Sequence, residues 1–134
     1  MIFAPVGALA VWTTVVLFLT GVRRVKAVRA RRVPPGAFRY GESADVPDDV
    51  RVWNRNLMNL LEMPLLFYVA SIAFYVTRQV TAGVVALAWV YVALRLLHSV
   101  VHLTSNRIVA RLLVFSVGIF VLLGAWIWFL ARVL

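Results

Sequence analysis

The run LLVFSVGIFVLLGAWIWFLA, residues 112–131, contains no charged side chain. A bilayer-spanning helix needs about 20 consecutive apolar residues, and this run has that length. Ile2 to Val22 is a second uncharged stretch of spanning length. Between them lie two further apolar segments, separated by the short polar clusters Thr77-Arg78-Gln79 and Thr104-Ser105-Asn106. Four spans use up the chain, apart from one polar stretch near its first third. The composition agrees: of 134 residues, 63% are hydrophobic and 14% charged, against about 45–50% and a quarter in soluble chains. The mean hydropathy is +0.93. Long unbroken apolar runs also argue against a transmembrane barrel, whose strands alternate.

The expected fold is therefore an all-α integral membrane bundle of four transmembrane helices in one domain over 1–134. The helices are expected at about 3–32, 49–78, 81–103 and 107–132. The first run lacks a basic segment before it, and its arginines follow it, so it reads as a retained helix and not a signal peptide. Pro34-Pro35 stops that helix. Residues 33–48 form the one sizeable loop, and Asp48 or Asp49 is the expected N-cap of the second helix.

The net charge of +9 is distributed by topology. Arg23, Arg24, Lys26, Arg29, Arg31, Arg32, Arg39, Arg51, Arg55, Arg107 and Arg111 share one side, while Arg78 and Arg132 lie on the other. The positive-inside rule puts the large loop in the cytoplasm and both termini opposite. The cations also favour anionic membrane lipid as a partner. No basic-aromatic module is present, so no nucleic-acid partner is expected. The chain has no cysteine, which excludes disulfides, thiolate metal sites and a protein thiol nucleophile.

Polar residues inside spans are costly and tend to be functional. On the second helix Arg55, Asn59 and Glu62 lie within about 60° of one another, and Arg51 extends the stripe. On the third, Arg95, His98 and His102 form another. Glu62 and Arg95 stand at nearly equal distances from the turn between these helices, so a structural Glu62–Arg95 ion pair is expected. One clamp leaves Arg55, Asn59, His98, His102 and Arg111 without a purpose. His98 and His102 have the spacing of a metal pair, but no Asp, Glu or Cys accompanies them on that helix, and no metal is expected. Serine hydrolysis lacks its motif. The Trp and Tyr residues read as lipid-packing and interfacial anchors, and Pro64 as a bend in the second helix.

Arg55-Asn56-Leu57-Met58-Asn59-Leu60-Leu61-Glu62 resembles the Arg-x3-Asn-x2-Glu motif on the second helix of the MAPEG family, membrane-associated proteins in eicosanoid and glutathione metabolism. Arg95-x2-His98-x3-His102 is similar to that family's third-helix pattern, and Arg111 follows at the spacing of a catalytic arginine. The likeness covers essentially the whole chain. It implies a homotrimer that binds glutathione as co-substrate between neighbouring protomers, for reaction with a lipophilic small molecule. By resemblance, Arg55, Asn59 and Glu62 hold the peptide, with Arg51 and His102 beside it. Arg111, from the adjacent protomer, stabilises the thiolate; Arg107 is the competing candidate for that role. The resemblance also allows a carboxylate contact from Arg29, Arg31 or Arg32. The chain departs from the family in having His102 where tyrosine is usual and Met63 where some members have another, which bears on which low-molecular-weight thiol is used.

The expected activity is that of a membrane glutathione transferase or peroxidase. The alternatives are a non-catalytic trimeric lipid- or partner-binding protein and a small proton-coupled multidrug exporter. Such exporters usually carry a lone acid on the first helix, whereas Glu62 lies on the second among arginines.

Overall fold

The computed structural model describes residues 1–39 and 41–134; Tyr40, inside the expected loop, lies outside the described residues. Regular structure among those residues is helical: α1 (Phe3–Arg29), a short 3-10 turn (Pro35–Phe38), α2 (Asp48–Val76), α3 (Ala82–Leu103) and α4 (Ile108–Val133). All four long helices are apolar enough to cross a membrane. The protein is a multi-pass integral membrane protein.

Heptad spacing builds the seams. Ile2, Leu9 and Val16 of the first segment are buried, as are Leu60, Phe67 and Phe74 on α2. On α3 two such lines run in parallel: Val84, Tyr91 and His98, and Ala88, Arg95 and His102, all buried. A seven-residue repeat keeps one face toward its neighbour, as in left-handed helix pairs. On α3 both lines turn from apolar to polar as they approach the basic end. α1 packs on α2 and α3, and α3 packs on α2 and α4. Only Gly118 and Leu122 of α4 are fully buried, which leaves most of that helix for lipid or a partner.

The helix ends differ in detail from expectation. α1 closes at Arg29, short of 32, because Arg31 adopts a left-handed conformation (φ 55). Arg31 N–H then donates to the Val28 carbonyl and Arg32 N–H to the Ala27 carbonyl, a Schellman ending usually made with glycine. Arg78 (φ 58) closes α2 in the same way, through Phe74 and Tyr75. Neither Asp48 nor Asp49 is an N-cap: Pro47 holds that position, and both acids lie in the first turn. They are engaged elsewhere. Asp49 accepts two bonds from Arg32 at 2.7 and 3.0 Å, and Asp48 lies 3.4 Å from Arg51. The Asp49 hydrogen bonds first, and then the Asp49 charge, raise the Arg32 guanidinium above its ordinary pKa.

The loop is a packed cap over the basic end. Val33 and Val46 are buried against Ala27 and Val50. Arg24 Nη2 donates to Asn54 Oδ1 at 2.7 Å and reaches Glu42 Oε1 at 3.5 Å. Arg51 Nη2 donates to the Ala44 and Val46 carbonyls, each at 2.9 Å.

Candidate functional site

The helix pair α3–α4 carries the decisive geometry. Its short turn, residues 104–107, places the last turn of α3 beside the first turn of α4, so His102 and Arg111 meet: Arg111 Nη1 lies 3.3 Å from His102 Nε2. The same nitrogen donates to Asn106 Oδ1 at 2.9 Å. Across from them, the first turns of α2 bring in Arg51 and Arg55. Asp48, Arg51, Val52, Arg55, His102, Asn106, Ile108 and Arg111 line one open cleft of about 360 Å³, within the size range of small-molecule sites. An adjoining groove is lined by Asn59, His98, Ile108, Arg111, Leu112 and Phe115. Arg111 and Ile108 belong to both, so a polar, cationic cleft passes into a groove of mixed lining along α4, apolar at Ile108, Leu112 and Phe115 and polar at Asn59 and His98.

Arg111 and Arg55 share the cleft within a single protomer. The expectation that Arg111 reaches the site from a neighbour is therefore unnecessary to bring the two together. Arg107 is exposed and lines neither depression, whereas Arg111 lines both. Arg51 is at the cleft wall, but its Nη2 is committed to the loop carbonyls. Asn59 Nδ2 donates to the Arg55 carbonyl at 2.9 Å, which leaves its side-chain oxygen available. Among the described residues no group of three or more His, Asp or Glu side chains is placed to hold a metal.

Glu62 and Arg95 are not paired. Glu62 is exposed on α2, roughly a third of a turn round the helix from the Asn56 position that faces α3. Arg95 is 1% exposed and turns toward α4. There its Nη2 donates to the Phe115 carbonyl at 3.1 Å. Its guanidinium also lies over the Tyr91 and Phe115 rings, at 5.2 and 4.9 Å. The α2–α3 contact is made instead by Asn56, whose Nδ2 donates to Ser99 Oγ at 2.6 Å.

The MAPEG family model matches residues 2–133. The chain belongs to the MAPEG family. No curated protein and no solved structure gives a match. Family membership supports a membrane function of the glutathione-transferase kind or one related to it. The family also includes members without catalytic activity, so the chemistry rests on the site.

Sequence reasoning missed three contributors to this region: Gly118, Asn106 and the Asn56–Ser99 contact. A Cβ at Gly118 would run into the Arg95 guanidinium, and the signal for it was a glycine on α4 near the depth of Arg95. Asn56 sits inside the quoted motif at one of its unspecified positions, and its side chain faces α3.

Proposed function

We propose that the protein is a membrane glutathione transferase or peroxidase that acts on lipophilic electrophiles or lipid hydroperoxides at the cytoplasmic face of the bilayer. The observation that carries this reading is the convergence of Arg51, Arg55, His102 and Arg111 on one open cleft. That cleft continues into a groove whose apolar side is made by Ile108, Leu112 and Phe115. A small anionic thiol fits the first and an oily substrate the second.

Arg55 takes a peptide carboxylate through its fork of donors. Asn59 hydrogen-bonds the peptide backbone, and Glu62 takes the amino group. Glu62 lies about 10 Å further along α2 than Arg55 at 1.5 Å per residue, outside the cleft lining, so the peptide extends along the outer stripe of α2. A second protomer covering that stripe completes the site, and the assembly is a homotrimer. Arg111 stands at the sulfur, where its charge favours thiolate over thiol, an effect worth roughly 1–3 pKa units.

The thiolate lone pair forms a carbon–sulfur bond while the leaving group departs with its electrons. In addition to an activated double bond, the carbanion takes a proton from water instead. With a hydroperoxide, sulfur attacks the terminal oxygen and the O–O bond breaks. The alkoxide is protonated to the alcohol, and a second thiol reduces the sulfenic acid to disulfide and water.

The test is a titration of the detergent-solubilised protein with glutathione across pH, following thiolate absorbance. A saturable thiolate signal supports the reading. Its absence, with other low-molecular-weight thiols equally silent, favours the non-catalytic binding protein. The commitment of Arg51 to the loop is the structural feature that fits that second reading. Native mass spectrometry tests the trimer, and monomer alone in mild detergent counts against it.

A further inference from the structure

Arg111 Nη1 has two hydrogens and two acceptors, His102 Nε2 at 3.3 Å and Asn106 Oδ1 at 2.9 Å. This nitrogen is saturated, and Nη2 and Nε are the donors left for a ligand. The two acceptors are unequal. Asn106 is exposed, whereas His102 is 2% exposed. Since Arg111 can only donate, His102 Nε2 must carry a lone pair, which places the imidazole proton on Nδ1. That Nδ1 is buried and has no partner among the described residues. Nδ1 is unpartnered in either tautomer, so the Arg111 contact is the one side-chain hydrogen bond open to the ring among the described residues, and it decides which nitrogen carries the proton.

We propose that His102 is the positioning residue for Arg111. As a neutral Nδ1–H imidazole it accepts from the guanidinium and holds it at the mouth of the cleft, and on protonation it releases it. The catalytic consequence rests on the thiol-activating role of Arg111 proposed above. An imidazolium offers only N–H at both nitrogens, so protonation sets donor against donor and cation against cation. The groups facing the ring are Arg111 on α4, Arg55, Arg51 and Asp48 across the cleft on α2, and His98 on its own helix with ring centroids 5.7 Å apart. All of these except Asp48 are basic. His102 thus makes Arg111 placement dependent on pH.

The proposal has one readout in structure and one in turnover. The chain holds only two histidines, so nitrogen-15 spectra of the full-length protein in detergent resolve both tautomers, with His102→Gln assigning the signal. The expected wild-type form of His102 is Nδ1–H with a bare Nε2, shifting toward Nε2–H in Arg111→Ala. An Nε2–H tautomer in the wild type, or no shift in Arg111→Ala, overturns the contact.

In turnover, glutamine can still accept a hydrogen bond but does not titrate. His102→Gln is therefore expected to remove the imidazole's share of the acid limb of the pH profile and to leave the share set by the thiol's own ionisation. His102→Phe is expected to lower kcat on the order of 10–100-fold, the cost of misplacing a reacting group, with glutathione dissociation unchanged. Wild-type turnover in His102→Phe overturns positioning, and so does glutathione binding lost in step with kcat, which would make His102 a ligand contact. If the tautomer result holds while the wild type binds and activates no thiol, the functional reading fails. The catalytic consequence then falls with it, while the contact itself stands.

Discussion

Arg95 lays its guanidinium against the backbone of Gly118, across the α3–α4 seam, in a space that any other residue at position 118 would close. The cation is held by the Phe115 carbonyl and by the faces of Tyr91 and Phe115, with no acid among its contacts. A buried charge without a counter-ion survives here because a main-chain acceptor and two aromatic faces offset part of its desolvation.

Gly118→Ala should consequently destabilise the protein by about 1–3 kcal/mol, the usual cost of overpacking a filled site. Gly124, about one and two-thirds turns on, has open space around it. Gly124→Ala should be neutral or gain up to about 1 kcal/mol from helix propensity. Thermal unfolding of both variants in the same detergent separates local crowding from a general effect of alanine on α4.

Glu62→Gln distinguishes a ligand contact from a structural clamp. Breaking a buried ion pair costs about 3–5 kcal/mol, whereas an exposed acid with no partner should cost under about 1 kcal/mol. The structure leads us to expect near wild-type melting together with weakened glutathione binding by calorimetry. A large drop in melting temperature would mean that Glu62 is buried against a cation in the assembled protein.

Arg111→Ala should leave glutathione binding largely intact and raise the pKa of the bound thiol by roughly 1–3 units. At neutral pH the thiolate fraction, and the rate with it, should fall about tenfold or more, recovering in part as pH rises. Arg111→Lys should restore some rate, because a point charge suffices without the fork geometry. Arg107→Ala should do far less, since Arg107 lies outside both depressions. An essential Arg107 beside a dispensable Arg111 would place the sulfur elsewhere.

Arg78 closes α2 in a left-handed conformation (φ 58), where a Cβ is penalised and glycine is not. Arg78→Gly should stabilise the protein by about 1 kcal/mol. Unchanged or lower melting would show that the exposed arginine earns its place by contacts at the membrane surface.

Four membrane-spanning helices, their turns and the two polar stripes were legible in the sequence, because burial in lipid demands apolar length and a heptad or helical period writes itself directly into residue order. The azimuth of each stripe was not. Glu62 and Arg95 stand at matching distances from the α2–α3 turn, yet so do Arg95 and Phe115 from the α3–α4 turn. Distance along a hairpin sets depth in the bilayer and says nothing of which face meets which neighbour. That choice was made by packing: Asn56 against Ser99 oriented α2 on α3, and the absence of a side chain at Gly118 left the space that the Arg95 guanidinium fills. Once α3 and α4 were joined there, their short turn brought Arg111 to His102. The residue types of the cleft were thus set by sequence, and their meeting was decided by which helix faces could close on each other without leaving a void or a clash.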